Sequence, residues 1–190
     1  DLGVPSDNTV SLAKLTATGT KDATTFLRGD NSFSTISAGI EQADIYRLTA
    51  NVTGDTDITA NLERSDDASS GLIGSGMTES SGIFTFPSTG IYLIMVQANF
   101  SYNNQADNSA NLNIYVTINN STYDHVASAV SGNGNQTGAT AVTSFSQAIV
   151  DVTDTSNVKV KFNTSSLGGT LQGSSVYNAT SFSFIRLGDT

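Results

Sequence analysis

Residues 92–96, Tyr-Leu-Ile-Met-Val, place an apolar side chain on both faces of any strand they form. A strand turns successive side chains to opposite faces, so one with a face in water alternates apolar and polar residues. Here Ile91, Leu93 and Met95 are as apolar as Tyr92, Ile94 and Val96. Such a strand needs apolar cover on two sides. The far sheet of its own sandwich supplies one, and a second copy of the same chain is the expected source of the other. The surrounding stretch, residues 82–100 (GIFTFPSTGIYLIMVQANF), holds two apolar runs separated by a Pro-Ser-Thr-Gly turn.

Composition narrows the function classes. The 190 residues give room for one ordinary domain and an appendage. A net charge of −9 argues against nucleic acid and against an anionic membrane surface, since both need a basic face. With no cysteine there is no disulfide and no thiolate metal site, so stability must come from packing or association. No apolar run approaches the ~20 residues of a membrane-spanning helix, so insertion is not expected. Asp1 in the first position is what a fragment or processed product would show.

Residues 1–38 carry Val10, Leu12, Leu15, Phe26, Leu27, Phe33 and Ile36 thinly spread among Ser, Thr, Gly and Asp. That is too little for an independent core, yet the segment lacks the charge density of a disordered tail. Short β-pieces packed against symmetry mates satisfy both observations. Residues 24–34, TTFLRGDNSFS, resemble the TFLRGDGTW-type segment of bacteriophage tail-fibre and related virion-fibre proteins. Asn31 stands where that segment usually has Gly, and Phe33 where it usually has Trp. In that family the segment lies in a trimeric stalk ahead of a C-terminal head. Arg28-Gly29-Asp30 also spells an integrin-ligand tripeptide, but a fibre turn accounts for the same residues.

From residue 39 the texture is that of an all-β domain. Strands are expected at 45–49, 58–62, 82–86, 90–101, 112–118, 122–130, 141–152, 157–162 and 175–187, and no segment of useful length has a helical period. Roughly eight to ten strands make a sandwich or jelly roll. Gly82, Phe84, Thr85, Gly90 and Tyr92 match in order the G-x-F-T-x-P-x-x-G-x-Y-x-F signature of the complement C1q-like head, a branch of the tumour necrosis factor-like jelly rolls. Pro87 lies one place late and Ile94 replaces the last Phe. Residues 181–187, SFSFIRL, are similar to that family's closing strand, and residues 148–160 to its penultimate pair. The resemblance implies a homotrimeric jelly-roll head over residues 39–190, preceded by a stalk over residues 1–38.

If consecutive strands run antiparallel, alternate loops fall at opposite ends. Connections at 86–90, 119–121 and 153–157 are short and share one end with both chain termini. Those at 51–57, 102–110, 131–138 and 165–173 are longer and rich in Asn, Gly, Ser and Asp, and they share the other. Long loops on a rigid scaffold are where recognition usually resides. The ligand-binding candidates are therefore Tyr102, Asn104, Asp107, Asn133, Asn135 and Gln136. Tyr92, Ile94, Val96, Phe182 and Phe184 are the candidates for the trimer interface and core.

Catalytic chemistry finds little footing. His125 is the only histidine, and its neighbour Asp124 would point to the opposite strand face. Glu41, Glu63 and Glu79 are the only glutamates, and none sits in a strong strand where a carboxylate pair could be fixed. Loop carboxylates suit Ca²⁺, for which Asp55, Asp57, Asp66 and Asp67, with Asp107, are the candidates, and no other cofactor is expected. The leading expectation is a non-enzymatic, extracellular virion fibre tip. It trimerises, joins other virion proteins through its stalk, and recognises a host-surface glycan or protein through the distal loops. A purely structural virion component is the alternative. A secreted cellular C1q-like protein is the third, and it predicts a Gly-X-Y stalk that residues 1–38 lack.

Overall fold

A computed structural model describes residues 16–35, 39–67, 69–104, 106–134 and 137–190. The chain divides into two compact units between Gly39 and Ile40.

In the first unit, β1 (Thr25–Leu27) and β2 (Phe33–Thr35) form an antiparallel hairpin with Leu27 opposite Phe33. The Arg28 N–H donates to Ser32 O at 2.7 Å, and Asn31 sits at φ 63°. Asn reaches this left-handed region more readily than other side-chain-bearing residues, so the turn forms without a Gly at position 31. The Asp30 carboxylate accepts from the Ser32 N–H and hydroxyl at 3.1 and 2.6 Å, so it closes the turn.

In the second unit the described residues form strands and no helix. The first are β3 (Ala43–Leu48), β4 (Val52–Thr53), β5 (Thr56–Asp57), β6 (Leu62–Arg64), β7 (Thr78–Ser80) and β8 (Ile83–Thr85). The longer ones follow: β9 (Gly90–Asn103), β10 (Asp107–Thr117), β11 (Asp124–Asn133), β12 (Ala139–Val152), β13 (Lys159–Ser165), β14 (Thr170–Leu171) and β15 (Ser181–Gly188). One sheet has the order β11-β10-β13-β8-β7, with β5 also on β13. In the other, β9 is flanked by β12 on one side and by β15 and β14 on the other, and β3 and β6 continue beyond β15. All ladder pairings between these strands are antiparallel.

The two sheets close on an aromatic centre. Phe84 of β8 meets Tyr46 of β3 edge-on at 5.1 Å and Phe184 of β15 at 5.1 Å, and Phe162 of β13 meets Phe182 of β15 at 4.4 Å. Each such pair adds about 1 kcal/mol to the area it buries. Tyr92, Ile94, Val96, Ala98, Phe100 and Tyr102 of β9 all point into this core. The turn before β8 passes close beneath residue 58: Gly82 adopts φ 81°, and a Cβ there would strike the Ile58 carbonyl oxygen.

Several strand limits differ from expectation. β9 continues to Asn103 and β10 begins at Asp107, so most of the expected 102–110 loop is ladder. Its polar residues satisfy one exposed face while Ala98, Phe100, Tyr102 and Ala110 satisfy the buried one. Conversely, β15 starts at Ser181, because Val176 and Tyr177 lie exposed in a loop and pair with no strand. Short strands β4, β5 and β6 occupy residues 52–64, where a single strand at 58–62 was expected.

Candidate functional site

β9 runs from Gly90 to Asn103, and β15 lies antiparallel to it with Gly188 beside Ile91. β3 starts at Ala43, opposite Ile185. The chain thus enters and leaves this unit at the Gly90 end of the sandwich. Residues 51–55, 104, 138 and 165–170 gather at the Asn103 end, where direct hydrogen bonds link Asp55 to Leu167 and Asn104 to Gly138. Asp107, 8% exposed, accepts from the Gly168 N–H at 2.9 Å and the Ser109 N–H at 3.1 Å. Asp55 accepts from the Leu167 N–H at 2.8 Å, and Thr164 donates to Gly54 O at 2.8 Å. Asn104, at φ 53°, donates its N–H to Gly138 O at 3.1 Å and accepts from the Gly138 N–H at 2.6 Å.

The expected binding residues therefore divide. Asn104 is exposed at the loop tip, and Asn133 is half-buried opposite Asp107 in the β10–β11 ladder. Asp107 holds the loops together from beneath and presents little surface. Tyr102 is a core residue, 1% exposed, because inward alternation along β9 continues through it. Burial raises its phenol above the ordinary value, and the nearby Ser131 hydroxyl pulls back, although their geometry falls short of a hydrogen bond. Asn135 and Gln136 lie outside the described residues.

The carboxylates proposed for Ca²⁺ are spent separately. Asp66 bonds Arg47 at 2.5 Å and Asp67 pairs with it at 3.5 Å, and the guanidinium side chain is 2% exposed. Burial would lower the Arg47 pKa, but bonds to Glu63 and Asp66 outweigh it and hold the charge. Asp57 pairs with Lys161 at 2.8 Å, and Asp55 caps Leu167. Among the described residues no three His, Cys, Asp or Glu side chains converge as a metal site.

His125 does reach a serine. Its Nε2 lies 2.7 Å from the Ser128 hydroxyl and 3.2 Å from the Ala127 carbonyl oxygen. A carbonyl only accepts, and the Ser128 proton goes to Asn113 Oδ1 at 2.6 Å, so Nε2 carries a hydrogen and donates. A donor cannot take the serine proton, and among the described residues no carboxylate orients the ring. The pair belongs to a structural polar network that continues from Asn113 Nδ2 to Asn163 Oδ1 and Ser165 Oγ at 2.9 and 2.8 Å.

The second feature is an apolar face. Tyr92, Ile94, Val96, Phe182 and Phe184, expected at an interface or in the core, are all 2% exposed or less and fill this chain's own core. The opposite set faces outward. Ile91, Leu93 and Met95 of β9 are half-buried and stand opposite Asp151, Ile149 and Gln147 of β12. Ile149 is 69% and Phe145 70% exposed. Ile45 of β3 and Ile185 of β15 continue the face. The signal for β12 was present in residues 144–149, Ser-Phe-Ser-Gln-Ala-Ile. Serines and an alanine turn toward the core side while Phe and Ile turn out, the reverse of a one-sided sheet.

No family model matches the chain, and no curated protein matches it. Solved structures do. Murine APRIL at pH 8.5 aligns with TM-score 0.55 and 11% identity over 77% of this chain and 98% of that one. Eiger TNF from S. frugiperda aligns with TM-score 0.60 and 13% identity over 78% of this chain and 93% of that one. At such identities the likeness establishes architecture alone. Residues 40–190 fold as a jelly roll of the tumour necrosis factor type.

Proposed function

We propose that this chain is a non-enzymatic virion fibre tip whose heads associate as a homotrimer and recognise a host-surface structure, with carbohydrate as the favoured ligand. The observation that carries this reading is the outward apolar face of β9 and β12. Monomers rarely leave such a contiguous patch in water, and cyclic association covers it at once in every copy. The loop cluster at the opposite end from chain entry supports the recognition surface, and the 24–34 segment supports the fibre setting. Asn-rich loops offer both donors and acceptors to a hydroxyl-rich ligand. In the fibre setting the protein is extracellular, on the virion, and joins other virion proteins through residues 1–38.

The test is binding of the labelled full chain to intact cells of a panel of bacterial hosts. Saturable binding that an Asn104→Ala variant weakens supports the reading. Absence of binding to any host of the source virus contradicts it. A second reading, a purely structural virion component, has one specific observation in its favour: Asp55, Asn104 and Asp107 spend their side chains on loop–loop hydrogen bonds. Localisation within the particle separates the two, since a tail-distal position favours recognition and burial in capsid or baseplate favours scaffold.

A further inference from the structure

The flank of the other sheet holds a notch away from the apolar face, adjoining the loop cluster only through Asp57. Along one edge of β13, β8 pairs only with Val160 and Lys159, and β5 only with Asn163 and Thr164. Between these two partners lies a depression of about 250 Å³, lined by Asp57, Thr59, Gly82, Ile83, Tyr123 and Lys161. Its floor is apolar, since Ile58 and Phe162 beneath it are 3% and 1% exposed. At its rim the chain turns at Gly82 without a side chain, tight against the Ile58 carbonyl.

The polar groups of the notch are arranged but not consumed. Lys161 Nζ lies 2.8 Å from Asp57 Oδ2, 5.1 Å over the Tyr123 ring and 5.8 Å over the Tyr115 ring. Tyr115 is itself backed by His125, stacked at 5.0 Å. Asp57 Oδ1 and the Tyr123 hydroxyl take part in no hydrogen bond among the described residues. With side chains 45% and 27% exposed, the Asp57–Lys161 pair contributes little to stability. The notch thus offers a ligand an open carboxylate oxygen, an open phenol and an apolar floor.

We propose that this notch binds one neutral pyranose unit of a saccharide. Its volume corresponds to roughly eight waters, on the scale of a single sugar ring. Asp57 already neutralises Lys161, so an anion would have to displace the carboxylate and a cation would meet the ammonium. A neutral polyol meets neither obstacle. Vicinal hydroxyls donate to Asp57 Oδ1 and accept from Lys161 and Tyr123, while the C–H face of the ring lies on apolar and aromatic surface. Burial raises the Tyr123 phenol, with Lys161 partly offsetting it, so the hydroxyl remains a donor at neutral pH. The site is distinct from the loop end, and its test is independent of the fibre-tip reading.

Saturation-transfer NMR on the full chain tests it, with the methyl glycosides of glucose, galactose, mannose and N-acetylglucosamine as probes and N-acetylneuraminic acid as the anionic control. At least one neutral glycoside should receive saturation. Tyr123→Ala, which removes a donor and part of the aromatic surface, and the isosteric Asp57→Asn, which removes the charged acceptor, should each weaken its apparent affinity about tenfold. Asn104→Ala at the loop end should leave it unchanged. Thermal melts establish that the variants fold, and if Tyr123→Ala does not, Asp57→Asn carries the comparison. Transfer to none of the neutral glycosides, transfer that Asp57→Asn retains in full, or transfer to N-acetylneuraminic acid alone overturns the proposal.

Discussion

Phe145 of β12 stands opposite Gln97 of β9, on the side of their ladder that faces away from the core, and its ring is 70% exposed. Four residues along, Ile149 stands opposite Leu93 on the same side. The inward neighbours of these residues, Val96 and Ile94, pack against the aromatic centre of the sandwich. β9 is therefore apolar on both faces for two different reasons, and only one of them is satisfied within the chain.

An ion pair buried on its acidic side ties β3 to β6. Arg64 donates to both oxygens of Asp44 at 2.9 and 3.0 Å, and the same carboxylate accepts from the Met77 N–H at 2.7 Å. Arg64 Nη2 also donates to Met77 O at 2.7 Å, and its guanidinium lies 5.0 Å from the Tyr46 ring centroid. Asp44→Ala leaves the Met77 amide without its acceptor and the guanidinium with only the Met77 carbonyl. The expected loss is about 2 kcal/mol, below that of a fully buried pair because Arg64 is 36% exposed. Chemical denaturation checks this through a lower midpoint at unchanged slope.

Alkaline pH should weaken the fold. The phenols of Tyr46, Tyr102 and Tyr123 are all raised, burial being the largest cause in each. Above about pH 10 the unfolded chain gives up these protons while the folded chain keeps them, so the unfolded state binds fewer and stability falls as pH rises. Below that value the three phenols are protonated in both states and contribute no slope. Denaturation midpoints should be flat in this respect up to about pH 10 and decline beyond it, with Tyr102→Phe showing a shallower decline.

Much of this architecture is legible in the sequence. The double apolarity of residues 91–96, the turn before Gly90 and the alternation of residues 112–118 all act over a few neighbours, where side-chain period and turn chemistry decide the outcome. Limits that depend on distant partners are not. Asn103 and Asp107 belong to strands because β12 and β11 run alongside them, although their own residues read as loop. Tyr102 illustrates the effect on site assignment: a loop label made it a ligand candidate, and the continued ladder makes it core. Asp66 and Asp67 resembled a solvated acidic turn until β3 brought Arg47 beneath them. Such pairings across the fold leave no mark in local sequence.

The most direct test of the self-association claim is the solution mass of the full chain, by light scattering coupled to size exclusion, beside Phe145→Asp and Ile149→Asp variants. These positions are exposed in the isolated chain, so a charge there does not disturb its own core. The wild type should elute at three times the 19.7 kDa chain mass, and each variant should fall to the single-chain mass with its fold retained by circular dichroism. A wild type at 19.7 kDa, or variants that keep the threefold mass, would contradict it.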